Sequence, residues 1–523
     1  MHTRFLTALL VMLSVAASTM FAQLIDRNKA PNAANEGIAR PLLGDPYPSQ
    51  IGDGRNGTDP NTSLNVIKYD PFRAIRRGRQ LFQRKFARAE GQGPLTDDGV
   101  GDVGTELAIG AGLSDSCAGC HGRPRGAAGF GGDVATRPDS RDAPHLFGLG
   151  LKEMLADEIT ADLRAIRVSA IAQARATGSA VTRQLTSKGI RFGSIRAMPS
   201  GDVDASSVEG VDPDLRVRPF FAHGGTLSIR EFVIGALRAE MGLAMAHDPD
   251  LDAAADGPVV TPSGMVLDGT TDSIEKAPAA QRGDIGTLEQ RAALVDFLEF
   301  YLLNYFKAGH DEQTVEAEHG RALFADVGCA SCHVPDLRIR RDRRVADVET
   351  SFDPERGNFN RLFATPQLLL ANPSSIGRSQ VQKAPAFQPF LVKDIFTDFK
   401  RHDVGPGFHE RNYDGSIRTH FLTTPLWGVG STAPYGHDGR SISLREVILR
   451  HGGEAQASRD AFDRLAAHHK DQVLAFLSTL ILFPPDDTAS LLDPGDRGHP
   501  LFPQARHGSI RLTNLFNMPA VVE

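Results

Sequence analysis

The sequence predicts a mainly α-helical chain built as two tandem domains with long loop insertions. Three observations carry that prediction: an ordered repeat of five elements, a Cys-x-x-Cys-His pentapeptide in each copy, and an apolar segment with helical spacing that closes each copy. The first copy opens with Gly78-Arg79-Gln80-Leu81-Phe82 and continues to Cys117-Ala118-Gly119-Cys120-His121. Pro219-Phe220-Phe221-Ala222-His223-Gly224-Gly225 and Leu227-Ser228-Ile229-Arg230-Glu231-Phe232-Val233 follow, and Leu294-Val295-Asp296-Phe297-Leu298-Glu299-Phe300-Tyr301-Leu302 closes it. The second copy repeats the order: Gly320-Arg321-Ala322-Leu323-Phe324, then Cys329-Ala330-Ser331-Cys332-His333. Pro434-Tyr435-Gly436-His437-Asp438-Gly439 comes next, then Ile442-Ser443-Leu444-Arg445-Glu446-Val447-Ile448, and last the stretch Val473 to Leu480.

The two pentapeptides hold all four cysteines of the 523 residues, so none remains for a disulfide framework. Cys-x-x-Cys-His is the attachment signature of haem c: each thiol adds across a haem vinyl group, and the adjacent His becomes the proximal iron ligand. Cys117, Cys120 and His121 would hold one haem, and Cys329, Cys332 and His333 the other. The competing readings are a dithiol redox motif and a zinc site made from both pairs. A His after each second Cys, and the wide separation of the pairs, argue against both. In each copy a Gly-x-x-Leu-Phe helix leads into the attachment turn and a final apolar helix covers it. The repeat therefore reads as two cytochrome-c-like haem domains.

Met1 to Arg4 carries a positive charge and Phe5 to Ala17 is almost wholly apolar. Residues 1–22 read as a cleaved secretory signal peptide, too short and poorly flanked for a stable membrane anchor. This places the protein in the periplasm, where haem c is attached. The first domain is then 23–310 and the second 311–523. Segments of about 83–116 and about 336–425, rich in polar residues, Gly and Pro, read as surface loops or as the lining of a haem cleft. The tail after Pro484 has little periodicity. A net charge of −7 with mixed signs excludes a basic nucleic-acid surface.

Further residues resemble the di-haem oxidoreductase family, whose members carry peroxidase and thiol-oxidoreductase-like labels. They are Phe396-Thr397-Asp398, His402-Asp403-Val404-Gly405-Pro406-Gly407, Thr424-Pro425-Leu426-Trp427-Gly428, His437-Asp438-Gly439-Arg440 and His451-Gly452-Gly453-Glu454-Ala455. The first half adds Val208 to Leu215, Ala143-Pro144 and Gly148-Leu149-Gly150-Leu151. A wider kinship is to bacterial di-haem cytochrome c peroxidases and the di-haem enzyme that matures methylamine dehydrogenase. The resemblance implies one electron-transfer haem with two protein ligands and one haem that reacts with hydrogen peroxide. It leaves open a calcium ion between the domains. A thiol activity gains nothing here, since haem consumes every cysteine.

In those relatives the second haem takes its distal ligand fourteen residues after the His of a Pro-Tyr-x-His-x-Gly motif. That count from His437 reaches His451, which makes His333 and His451 an expected axial pair; the alternative is a helix cap or an exposed His. Matching Glu231 to Glu446 sets Ala236 opposite His451, and Ala cannot ligate iron. The haem of His121 is then open unless His145, Met241, Met245 or His247 fills the site. By resemblance, Glu240 in Glu240-Met241-Gly242 is the candidate acid–base, the alternative being a solvated helix Glu. His402 and His437 are expected to hold propionates or backbone. The relatives' inter-haem Trp is replaced by Ala222-His223, and the lone Trp427 is either core or an aid to electron transfer. The sequence thus points to a peroxidase-like oxidoreductase served by a small cytochrome c or cupredoxin. A simple electron carrier and an enzyme acting on an organic or protein substrate are the alternatives.

Overall fold

The computed structural model describes residues 55, 62–69, 71–86, 92, 114–122, 128, 133–134, 141–243, 248–274, 288–305, 308–310, 313–345, 348–353, 357–364, 368–373, 379–383, 389–412 and 414–482. The expected signal peptide and the C-terminal tail lie outside these. So do Met245 and His247 and most of the 83–116 segment.

Helices α1 (Ser63–Tyr69), α2 (Pro71–Gln83) and the short α3 (Cys117–His121) precede a long α4 (Leu149–Thr177). Then come α5 (Ile229–Ala239), α6 (Pro249–Ala254) and α7 (Leu288–Asn304). The second half holds α8 (Val315–Asp326), α9 (Leu444–Arg450), α10 (Gln456–Arg464) and α11 (Ala467–Ser478). Among the described residues no helix is long and apolar enough to cross a membrane.

The five repeated elements adopt the same contacts twice. Gly78 of α2 lies against α7 so closely that a Cβ would fall on the Phe297 carbonyl oxygen; Gly320 of α8 meets the Gln472 carbonyl of α11 in the same way. Four residues beyond each carbonyl an aromatic ring packs edge-on to the Phe of the Leu-Phe pair. Tyr301 meets Phe82 at 5.9 Å and Phe476 meets Phe324 at 5.6 Å. A second close approach follows, Gly150 on the Leu303 carbonyl and Gly430 on that of Ser478. Glycine at these four positions lets the backbones touch, which no residue with a Cβ would permit.

The distal elements repeat as well. Phe220 bridges Thr226, and Tyr435 bridges Ser441. Helix α5 starts with a capping box between Ser228 and Glu231. On α9, Ser443 accepts from the Glu446 backbone N–H and Glu446 accepts from that of Ile442.

The expectation of a mainly α chain needs correction toward a mixed one, because the insertions carry small antiparallel sheets. Strands 181–187, 190–197 and 203–204 form a three-stranded sheet packed on α4, while 337–339 pairs with 390–392 and 401–403 with 420–422. The 336–425 insertion is not simply surface loop either. Leu337 and Ile339 alternate with exposed Arg338, as a half-buried strand does, and Val392, Ile395, Phe396 and Phe399 are buried.

Among the described residues, buried side chains fall into three clusters: one around α2, α5 and α7, one around α8 and α11, and a third that joins the halves. The third sets α4 and its sheet against Leu337, Ile339, Val392, Ile395, Phe399 and Trp427. Strand 308–310 pairs with 480–482, so hydrogen bonds cross the line drawn at 310/311. Polar links add to this seam: Arg343 bonds Glu153 at 2.6 Å, Arg141 pairs with Glu410, and the Leu422 N–H donates to the Ala222 carbonyl at 2.8 Å.

Helix α5 is held by a buried charge network. Arg230 donates two hydrogen bonds to Asp248, at 2.7 and 2.6 Å, and one each to Asp296 and Glu299 at 2.9 Å. Arg55 joins from the side, pairing with Asp250 at 2.8 Å and Asp296 at 2.9 Å.

Candidate haem sites

The first attachment turn is built by Ser116, whose side chain caps α3 by accepting from the Gly119 N–H at 3.0 Å. His121 donates from Nδ1 to the Pro144 carbonyl at 2.7 Å, and Phe82 lies 6.4 Å from its ring at a 53° tilt. In the second turn, Gly328 adopts a left-handed φ of 89° ahead of Cys329–Ser331. His333 donates from Nδ1 to the Phe396 carbonyl at 3.1 Å, and Phe324 lies 6.0 Å away at a 52° tilt. A carbonyl on Nδ1 fixes the tautomer, so the basic lone pair of each ring is on Nε2, the arrangement of a metal-ligating imidazole.

No disulfide joins any of the four cysteines. Burial pushes the Cys117 thiol up to about 12 and that of Cys329 up to about 11. Burial also raises Cys120, and the nearby Glu240 carboxylate adds to the rise. Redox-active dithiols show the opposite, a depressed thiol pKa in an electropositive setting. Among the described residues the pairs do not converge on one metal either. The cluster with metal-ligand spacing is Cys332, Asp398 and His402. Paired thiols, a fixed imidazole and an adjoining apolar cluster make a donor set that suits covalent haem in both turns.

His451 caps the end of α9, its Nδ1 donating to the Val447 carbonyl at 2.7 Å and its ring edge-on to Phe408 at 5.1 Å. Burial pushes His333 down to about 4, and the charge of His451 is the next largest cause. His451 itself is lowered by burial. Burial thus favours the neutral form of both imidazoles. At the matching place on α5 stands Ala236, whose carbonyl accepts the Glu240 N–H. The Glu240 carbonyl accepts from Ser114 N–H at 3.1 Å, which ties the end of α5 to the first attachment turn.

The structure assigns the remaining candidates. Met241 is buried in the first cluster. His145 donates from Nε2 to the Trp427 carbonyl at 2.7 Å, which leaves the lone pair of its ring on the buried Nδ1. His402 is clamped between Asp398 at 2.9 Å and Glu454 at 2.7 Å. Burial opposes its charge, but bonds to Asp398, Cys332 and Glu454 raise it to about 11. His437 stacks on Phe421 at 4.1 Å and is pushed down to about 4, chiefly by burial and then by Arg141. Trp427 is 5% exposed, with its ring seated on Gly148 in the cluster that joins the halves. The sequence had no signal for the Asp398–His402–Glu454 clamp or for the His145–Trp427 bond, because both depend on residues that only tertiary folding brings together.

No curated protein matches the sequence. Residues 365–480, which include His402, Trp427, His437 and His451, match the family model described as "Di-haem oxidoreductase, putative peroxidase", and this part of the chain carries the pattern of that oxidoreductase family.

Proposed function

We propose that the protein is a periplasmic di-haem c-type cytochrome that acts as a peroxidase-like oxidoreductase. Cys117, Cys120 and His121 would hold one haem; Cys329, Cys332 and His333 would hold the other, with His451 as a further ligand to it. The observation that carries this reading is the contrast between two matched helices: α9 ends on His451, whose Nδ1 is held by the Val447 carbonyl and whose Nε2 keeps the lone pair, whereas α5 offers Ala236 at that place. The haem of His121 would then keep an open position for hydrogen peroxide. Bound haem supplies the iron that takes and gives electrons, while the chain sets ligands, burial and protons.

Glu240 is the proton carrier in this reading. It ends α5 beside the first attachment turn, where a carboxylate can accept the proton of the near peroxide oxygen and return it to the departing one. A small cytochrome c or cupredoxin would supply the electrons, on the side of the chain that holds His333 and His451.

Optical and EPR spectra of the oxidised and half-reduced holoprotein test the reading. A high-spin component beside a bis-His low-spin signal is the expected result. Two low-spin signals in both states would overturn it in favour of a plain electron carrier. Peroxide turnover with protein and organic donors then separates a peroxidase from an enzyme that oxidises another substrate.

A further inference from the structure

The shells of the two proximal histidines are joined by an unbroken run of bonds. His121 donates to the Pro144 carbonyl at 2.7 Å. The next residue, His145, reaches into the other half and donates from Nε2 to the Trp427 carbonyl at 2.7 Å. One residue back, the Leu426 N–H donates to the Ile395 carbonyl at 3.1 Å. The next residue after Ile395 is Phe396, whose carbonyl accepts from His333 at 3.1 Å. Covalent backbone and four hydrogen bonds therefore lead from one proximal ring to the other without a through-space step.

We propose that His145 is the bridge that carries electrons between the two proximal histidines, a role that rests on the di-haem reading above. One electron leaves the haem of His333 and one arrives at the haem of His121. No bond forms or breaks, and each hydrogen bond keeps its proton on the donor. Electronic coupling decays far more steeply across space than along bonds and hydrogen bonds, and of the bonds that cross between the halves it is that of His145 that continues directly from the carbonyl on His121. The link is specific to its place. The equivalent residue in the second copy is Pro425, which has no side-chain donor.

Two further observations fit a role beyond packing. Nδ1 of His145 is buried with no hydrogen-bond partner, a cost that an apolar residue of similar size would avoid. Burial, with smaller contributions from Lys152 and His121, keeps the ring neutral by pushing it down to about 4. Its one proton is thus committed to the Trp427 carbonyl. The contact uses that backbone oxygen, not the indole, and so differs from a route through a tryptophan ring.

The test injects one electron into the oxidised holoprotein by pulse radiolysis and follows its redistribution between the haem absorption bands. His145→Leu should slow redistribution about tenfold to a hundredfold, the range typical of lost outer-shell partners, with haem content, EPR signals and ligation as in the wild type. His145→Phe fills the volume without a donor and carries the same expectation should the Leu variant lose haem. His145→Gln keeps a side-chain N–H donor and should restore most of the rate. Trp427→Phe keeps the carbonyl and should change the rate far less than His145→Leu. An unchanged rate in His145→Leu and His145→Phe would overturn the bridge alone, as would a greater loss in Trp427→Phe. Absence of redistribution in the wild type would overturn the di-haem function and the bridge together.

Discussion

Replacing Arg230 with Met should destabilise the protein by about 3–5 kcal/mol at pH 7, the cost of stranding buried charges when one partner is removed. Arg230 is fully buried, as are Asp248 and Asp296, while Glu299 is 1% exposed. The network sets Arg230 and Arg55 against Asp248, Asp250, Asp296 and Glu299, so acids outnumber bases before any change. Burial raises the Glu299 carboxyl to about 7 and raises Asp296 too; Arg230 opposes both rises, and the charges of Glu153 and Asp296 add to that of Glu299. Met keeps most of the volume, so the loss reports charge rather than a cavity.

The pH dependence gives the sharper test. A carboxyl whose folded pKa lies above its unfolded value stabilises the fold when protonated. That contribution is complete below the unfolded pKa and is lost as pH rises through the folded one. For Glu299 the window runs from the ordinary 4.5 to about 7. Without Arg230 both Glu299 and Asp296 rise further, so the deficit of Arg230→Met should shrink on going from pH 7 to pH 5. Asp248 is held low in the wild type, so it stays charged at pH 5 and the deficit does not vanish. Urea unfolding of wild type and variant, followed by far-UV circular dichroism at both pH values, measures it. A deficit under about 1 kcal/mol, or one that is the same at both pH values, would refute the account of this network.

His451→Ala should abolish the bis-His EPR signal and let the haem of His333 bind carbon monoxide when reduced; an unaltered signal would remove His451 from the iron. Glu240→Gln should lower peroxide turnover by about a hundredfold with haem spectra unchanged, the contribution typical of a general acid–base, and steady-state kinetics would show it. Gly320→Leu should cost about 1–3 kcal/mol or more, because the added side chain meets the Gln472 carbonyl and forces α8 from α11. Gly257→Ala, where a Cβ meets nothing within 4 Å, is the control and should stay within about 0.5 kcal/mol in the same urea titration.

What could be read in the sequence was what local chemistry fixes. The attachment turns depend on residues within a pentapeptide. The paired glycines, aromatic partners and Ser-x-x-Glu caps recur at fixed spacing, so their twofold order was visible before any contact was known. The seam between the halves was not visible. Helix α4 and its three-stranded sheet have no counterpart in the second copy, so the repeat says nothing of them. Arg230 lies inside a repeated motif, yet its equivalent Arg445 is half-exposed and meets Asp471 at 3.4 Å, so the repeat conceals that one copy is buried and the other not. The insertion after His333 looked like loop because its strands are short, and pairs such as 337–339 with 390–392 are far apart in sequence. His145 looked like a spare iron ligand because a sequence lists donors but not where a carbonyl will stand.

Divergence between the copies follows a pattern that bears on function. Each keeps the elements that would hold a haem in the proposed reading: the crossing glycine, the Phe beside the His ring and the carbonyl on Nδ1. They differ at the helix after the bridged turn, where α5 carries Ala236 and is capped by Glu240 while α9 is capped by His451. They differ again at the seam, where His145 stands opposite Pro425. A carrier with two equivalent haems would need neither difference, since matched ligands give matched potentials and two-way exchange. An enzyme that takes electrons at one centre and spends them at another needs both an asymmetric pair of distal sites and a conductor between them. The positions at which the repeat breaks are the positions that such a division of labour requires.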